Sequence, residues 1–231
     1  MLSSISSNKP TNIERILNVE NPLDSPIQLP VGTASWLFRQ TGSHQNGRLK
    51  RKLEFQAGRF CADQCLQDLE VVGEVGQAAD RSPVWPTGVI GSISHSDQWV
   101  WAVARMQDDI SSIGIDTEPV ADAITLQHLS GEILTESENE LGAKLDLSPA
   151  EVFTITFSAK ESFYKCIYPM NPVFFGFLDV QVVRFDGSNV ELVISENCPN
   201  QFFSGRTLKV SYVVRDNNVY TACWLNDKEV H

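Results

Sequence analysis

A chain of 231 residues with 42% hydrophobic content and a net charge of −11 is long enough to bury a sizeable core and is ordinary for a globular protein. That acidity argues against bulk nucleic-acid binding, and no apolar run reaches the roughly 18 residues of a membrane span. Met1-Leu2-Ser3-Ser4 lacks the basic and apolar regions of a secretory leader, and five cysteines without paired spacing fit reduced thiols, so a cytoplasmic protein is expected.

In chain order, residues 1–26 are polar and are expected to form a loosely ordered lead-in with a short helix around 13–19. Pro30 to Phe38 reads as a strand and Thr41 to Gly47 as a loop. A helix is predicted over Lys50–Leu69, where Leu53, Ala57, Cys61, Cys65 and Leu69 recur at four-residue steps beside Phe60 and Leu66. Cys61 and Cys65 therefore belong to an apolar stripe and read as core, not as metal ligands. Arg48, Lys50, Arg51, Lys52 and Arg59 crowd the same segment, opposed only by Glu54. Such a cluster on an acidic chain is either a solvated helix face or the seat of a localised anion such as a phosphate compound. Gly58 in mid-helix costs about 1 kcal/mol relative to Ala, which points to close approach of a neighbouring backbone or a ligand.

Residues 73–88 read as loop. Val89–Ser94, Trp99–Arg105 and Ser112–Thr117 follow as short β runs separated by turn signals. They are expected to form an antiparallel meander whose last strand carries Gly114-Ile115-Asp116-Thr117-Glu118-Pro119. In a strand, residues i and i+2 share a face, so Asp116 and Glu118 project side by side. Paired carboxylates repel and call for a cation or a shared proton; oxygen ligands suit a hard cation such as Mg²⁺. The plainer reading is two surface acids at a strand end.

Residues 121–143 look helical and acidic, in two pieces around Ser130-Gly131. Ser148-Pro149-Ala150-Glu151 is a strong helix start, with an N-cap serine, proline at N1 and glutamate at N3, and that helix is predicted to run to about Ile167. On it Glu161 and Lys165 are i, i+4 and share one face: either a surface ion pair, or a third metal carboxylate beside a phosphate-binding lysine. A capping box at Ser158-x-x-Glu161 is discounted because the better start lies at Ser148. Strands are predicted at Leu178–Arg184, Val190–Ser195, Leu208–Val214 and Val219–Trp224, with turns at Asp186–Asn189 and Asp216–Asn218. The order helix-then-strands occurs twice, so the expected fold class is α+β, in two similar subdomains: 1–119, with the basic helix and the first two carboxylates, and 120–231. In Gly91-Ser92-Ile93-Ser94-His95-Ser96 hydroxyls flank a histidine at a strand end, either as structure or as donors to a phosphate.

The ordered blocks Arg-Lys-x-Glu-Phe-x-Ala-Gly-Arg (51–59), Trp-Pro-x-Gly (85–88), Gly-Ser-Ile-Ser-His-Ser (91–96), Gly-Ile-Asp-x-Glu (114–118) and Phe-Ser-x-Lys-Glu-Ser-x-Tyr-Lys (157–165) together resemble the 4′-phosphopantetheinyl transferases, in their larger single-chain class. The resemblance implies two subdomains related by a pseudo-twofold, with coenzyme A in the cleft between them. It implies transfer of the phosphopantetheine arm to a serine of an apo carrier protein, with release of adenosine 3′,5′-bisphosphate. Asp116, Glu118 and Glu161 would hold Mg²⁺, Lys165 would contact the phosphates near the scissile bond, and Glu161 is the family's candidate base. Arg51, Lys52 and Arg59 match the clamp on the nucleotide, Ser94 and His95 the 3′-phosphate contact, and Arg81 lies nearby. The expected partners are coenzyme A and a carrier domain, with no nucleic acid and no membrane span, and the protein is expected to be a monomer. Thr117 departs from the aliphatic residue usual in the motif, but a β-branched side chain fits a strand. Alternatives of other classes are a Mg²⁺-dependent phosphohydrolase of coenzyme A or a nucleotide, and a coenzyme A- or carrier-binding module without catalysis. The pathway the carrier serves is not written in these residues.

Overall fold

The computed structural model describes residues 24–40, 47–200 and 203–230, with Arg48, Glu229 and Val230 described by their backbone alone. The helix expected around 13–19 and most of the loop expected over 41–47 lie outside the described residues.

A three-stranded antiparallel sheet forms first. Strand β1 (Ala34–Arg39) pairs with β5 (Trp99–Met106), which pairs with β4 (Val89–His95). Helix α1 (Gly47–Asp68) covers one face, burying Ala57, Cys61, Ala62, Cys65 and Leu66 against Phe38, Val100, Ala102 and Ala104. The four-residue stripe is thus the core face. Gly58 is explained by a side chain rather than by a backbone or ligand: a Cβ there would meet Ile93 Cγ2 at 2.8 Å. The loop between α1 and β4 contains a two-residue ladder, β2 (Gly76–Gln77) with β3 (Pro83–Val84), too short for an alternating pattern to reveal.

Strand β6 (Ile110–Pro119) does not complete the expected meander. It pairs with the chain's last strand, β10 (Asn218–Asn226), at the edge of a five-stranded antiparallel sheet. The remaining strands of that sheet are β7 (Val180–Asp186), β8 (Asn189–Ile194) and β9 (Thr207–Arg215), in the order β6-β10-β9-β8-β7. β6 nevertheless runs beside β4, joined through side chains: Ser92 Oγ accepts from Ile115 N at 3.1 Å and Ser94 Oγ from Thr117 N at 3.3 Å. Hydroxyls here stand in for a backbone ladder and satisfy amides that would otherwise be buried unpaired. Ile113 and Ile115 pack with Leu37, Trp101, Val103, Tyr220 and Ala222 between the sheets.

After β6 come α2 (Ala123–Ile133) and α3 (Glu136–Gly142). The break falls at Leu134–Thr135 and not at Ser130-Gly131, because Thr135 and Glu138 form a reciprocal capping box that starts α3. Helix α4 (Pro149–Ile167) starts with the predicted capping box at Ser148 and Glu151. A single 3₁₀ turn (Phe177–Asp179) leads into β7, and a short helix, α5 (Asp227–Val230), ends the described chain. Helix α4 lies on the other face of β6 and β10. Its Ile155, Ala159, Phe163 and Ile167 join Val190, Leu192, Val210, Val219, Cys223 and Leu225 in the second core, at about 1.5–3 kcal/mol for each fully buried large side chain.

Gly114 sets how deeply α4 seats. A Cβ there would lie 2.0 Å from Ser162 O and 2.5 Å from Cys166 N, both helix backbone. On the far face of α4, Lys160 is 2% exposed and donates to Ile133 O at 2.7 Å and to Glu138 Oε2 at 2.9 Å; Glu138 also accepts from Val182 N. This closed ion pair ties α2, α3, α4 and β7 together.

Two outcomes are expected in urea denaturation. Gly114→Ala forces α4 off the sheet and costs about 3 kcal/mol; an unchanged midpoint would show that the helix is not seated on the β6 backbone. Lys160→Met strands the Glu138 carboxylate and costs about 3–5 kcal/mol; a loss below 1 kcal/mol would show the pair to be replaceable by packing.

Candidate active site

Three elements bring polar side chains to one place. Alternation on β6 sends Ser112, Gly114, Asp116 and Glu118 toward α4, while Ile113 and Ile115 enter the inter-sheet core. On α4, Ser158, Glu161 and Lys165 follow an i, i+3, i+7 spacing and share the face turned to β6. Strand β4 supplies Ser94 from the neighbouring sheet.

Asp116 is the hub. It is 2% exposed, and both oxygens are engaged. Oδ1 accepts from Lys165 Nζ at 2.7 Å and from Ser94 Oγ at 2.8 Å; Oδ2 accepts from Ser158 Oγ at 2.8 Å. Ser158 is held in turn by Thr221 on β10. Lys165 Nζ also lies 3.2 Å from Ser94 Oγ, and part of its side chain, 27%, meets solvent.

Among the described residues, the Glu118 and Glu161 carboxyl groups have no hydrogen-bond partner. Burial, reinforced by the negative charge of Asp116 and Glu161, pushes the Glu118 carboxyl up to about 8; Lys165 opposes this. Burial also raises Glu161 above the usual carboxylate range, against the pull of Lys165. Burial works against the charge on Lys165, but Asp116 and Glu161 outweigh it, so its ammonium is held above the ordinary lysine value. The cluster is one lysine among three carboxylates. Among the described residues, no three His, Cys, Asp or Glu side chains converge tightly enough to form a ready-made metal cage. The donor set still fits a hard divalent cation: three carboxylates, two of them destabilised by burial and like charge, with oxygen as the only ligand atom.

The basic groups surround this hub unevenly. His95 is exposed beside Glu54, with Nδ1 to Oε2 at 4.0 Å; desolvation pulls its imidazole below the usual value, against Glu54. Arg59 stacks over Phe55 at 5.0 Å, and its Nη1 is buried without a hydrogen-bond partner among the described residues. An orphaned guanidinium nitrogen in a basic cluster is a natural anion contact. Lys50 is committed to Asp97 and lies 3.8 Å from Glu54, while Arg51 and Lys52 are exposed on α1. Arg81 is exposed at the turn between β2 and β3, with a left-handed φ of 75°.

The structure thus gathers Asp116, Glu118, Glu161, Lys165 and Ser94 and places His95 within their field. Arg51, Lys52 and Arg59 lie on α1 and Arg81 in the β2–β3 turn, none of them in contact with Asp116. Ser94 stands differently from the reading of a phosphate donor, since its hydroxyl is given to Asp116. Ser158 and Thr221 were not singled out for this site, although the i, i+3, i+7 spacing of Ser158 with Glu161 and Lys165 was a usable signal; Thr221 carried none. A groove of about 730 Å³ between the 26–31 segment and the outer face of β9 and β10 contains none of these residues.

Sequence profiles divide the chain in two. One, described as the 4′-phosphopantetheinyl transferase N-terminal domain, matches residues 42–105. A second, the 4′-phosphopantetheinyl transferase superfamily, matches residues 112–223. Among curated proteins, the enterobactin synthase component D of Escherichia coli O157:H7 is 33% identical over 190 residues, covering 81% of this chain and 84% of that protein. The 4′-phosphopantetheinyl transferase Npt of Nocardia iowensis is 32% identical over 135 residues, 58% of this chain and 59% of that protein. PptT of Mycobacterium tuberculosis, also a 4′-phosphopantetheinyl transferase, is 32% identical over 141 residues, 58% of each chain.

The carboxylate crowding has a measurable cost. With EDTA present and above about pH 8, where Glu118 is ionised in the fold, Glu118→Gln removes a desolvated like charge and is expected to stabilise the fold by about 1 kcal/mol, in the range of relieved functional strain. Thermal unfolding checks this; a loss of stability would mean that Glu118 is paired in solution.

Proposed function

The chain belongs to the 4′-phosphopantetheinyl transferase superfamily, and we propose from that premise which of its residues do the work. As a member it is a transferase, moving the phosphopantetheine arm of coenzyme A to a carrier protein. The carrier serine oxygen attacks the β-phosphorus, the pyrophosphate P–O bond breaks, and adenosine 3′,5′-bisphosphate leaves. Asp116, Glu118 and Glu161 would hold Mg²⁺, which when bound neutralises charge on the pyrophosphate. Lys165 donates to the phosphate beside the breaking bond. Glu161 takes the serine proton, directly or through water.

The nucleotide end falls to Arg51, Lys52, Arg59 and Arg81, with His95 and Ser94 at the 3′-phosphate. Arg59 brings an unpartnered nitrogen. Ser94 would have to turn its hydroxyl from Asp116, so we give the larger share of that contact to His95. The two α+β halves, each a helix over antiparallel strands, support a pseudo-twofold with the ligand along the seam at β6. The carrier is expected at an apolar edge, where Ile124 after Pro119 and Phe174 and Leu178 after α4 are exposed. A cytoplasmic monomer is the expected setting, consistent with five buried thiols.

The observation that carries this reading is the convergence of Asp116, Lys165 and Ser94 from three elements, with Glu118 and Glu161 in the same field. The test is the intact mass of an apo carrier domain after incubation with the protein, coenzyme A and Mg²⁺. A gain of one phosphopantetheine arm is expected, abolished by EDTA, with the rate down at least about 100-fold in Glu161→Gln and a comparable loss in Asp116→Ala. A gain undiminished by EDTA and by Asp116→Ala would remove the metal assignment. Coenzyme A cleavage without carrier modification would move the chain to the phosphohydrolases.

A further inference from the structure

Asp80 and Tyr168 belong to opposite halves of the chain, and neither has a part in the chemistry above. Tyr168 caps the C-terminus of α4, three residues beyond Lys165. Asp80 sits in the turn that joins β2 to β3, next to Arg81. Tyr168 Oη donates to Asp80 Oδ2 at 2.7 Å. The other oxygen, Oδ1, accepts from Ser82 N at 3.0 Å and Ser82 Oγ at 2.7 Å, so the carboxylate is engaged on both sides. The Tyr168 ring stacks on Tyr164 at 5.2 Å, and Tyr164 is wedged against Phe175 at 5.0 Å. The tyrosine is therefore fixed from the α4 side before it reaches across.

The residue between Asp80 and Ser82 is strained. Arg81 has φ of 75°, a region that costs a non-glycine residue about 1–3 kcal/mol and persists only where its surroundings over-determine it. Here the surroundings are the Ala78–Ser82 backbone bonds of the turn and the Asp80 anchor. Tyr164 feels both ends of this arrangement, since its phenol is raised first by burial and then by Glu161 and Asp80. Tyr168 is i+3 from Lys165 and i+7 from Glu161, so its bond to Asp80 holds the turn on the side of α4 that carries the reacting groups.

We propose that Asp80 and Tyr168 form a clasp that ties the β2–β3 turn to α4 and thereby positions Arg81 on the phosphates of coenzyme A. Tyr168 and Asp80 are positioning residues, not catalytic ones. The inference rests on the reading of Arg81 as a coenzyme A contact. It goes beyond that reading in making the contact depend on a hydrogen bond from the other half of the chain. Releasing the turn lets Arg81 relax to an ordinary backbone conformation and leave the ligand, while Glu161 and Lys165 stay in place.

The test is a double-mutant cycle on the full chain, read by calorimetric coenzyme A binding and by KM and kcat for transfer to a carrier domain. Tyr168→Phe loses only the hydroxyl and is expected to weaken coenzyme A binding and raise its KM about fivefold, with kcat changed by less than about twofold. Asp80→Ala should do the same. Arg81→Ala should weaken binding at least as much, and adding Tyr168→Phe to it should bring no further loss. A general structural role would persist in the Arg81→Ala background, so a full additional loss there overturns the clasp. Wild-type binding by Tyr168→Phe beside weakened binding by Arg81→Ala also overturns it. Wild-type binding by Arg81→Ala would instead remove Arg81 from the ligand contacts, and the clasp's role with it.

Discussion

The site depends on how closely α4 can approach β6. Gly114 has no Cβ, and the space one would fill is taken by the Ser162 carbonyl and the Cys166 amide. Two further bonds fix the contact: Ser112 Oγ donates to Cys166 O at 2.6 Å, and Thr221 Oγ1 to Ser158 O at 2.9 Å. Strand hydroxyls thus bond helix carbonyls at both ends of the crossing. With the axes held at this separation, Ser158 and Lys165 reach Asp116 directly. A helix one methyl group further out would leave Asp116 buried with only Ser94 of its three partners, a costly state for a carboxylate.

Two lysines of one helix show how burial separates support from chemistry. Lys160 and Lys165 both pair with a buried carboxylate. Lys160 and Glu138 are each about 1% exposed at the side chain, and the carboxylate is also consumed by backbone amides. Nothing can enter that pair without dismantling three helices and a strand. Lys165 faces Asp116, which is 3% exposed at its side chain, but keeps 27% of its own side chain in reach of solvent. It is anchored to Asp116 while part of its side chain stays at the surface, which suits the phosphate contact proposed for it.

Local signals were legible in the sequence and long-range pairing was not. The α4 start is spelled out by Ser148, Pro149 and Glu151, and the alternation of β6 put Asp116 and Glu118 on one face. The break between α2 and α3 was also spelled out, by Thr135 and Glu138, but Ser130-Gly131 drew the eye because glycine is the more familiar breaker. The partner of β6 could not be read. Its runs are as apolar as those of β4 and β5, and a strand buried on both faces carries no mark of which sheet it joins. Adjacent strands usually pair; here β6 leaves its sequence neighbour β5, meets β4 through Ser92 and Ser94, and finds its backbone partner a hundred residues later. The same limit hid Ser94's bond to Asp116 and Tyr168's to Asp80, since a hydroxyl in a sequence does not disclose its acceptor.

The charge distribution turns on the same distinction of scale. A net charge of −11 repels an anionic ligand and an acidic partner at long range, but at physiological ionic strength that field decays over about 8 Å. Recognition must come from cations that are both near the ligand and not already neutralised. Lys50 fails the second condition, held by Asp97 and Glu54. Arg59 meets it, with a buried nitrogen unpartnered among the described residues and its plane fixed on Phe55. In the proposed reading Lys165 meets it in part, and Arg81 meets it only where its turn is pinned. The count of basic residues in the 48–59 segment therefore overstates its strength as an anion site. The few that are fixed and unspent decide it, and these come from α1, α4 and the β2–β3 turn, held together by the strands between them.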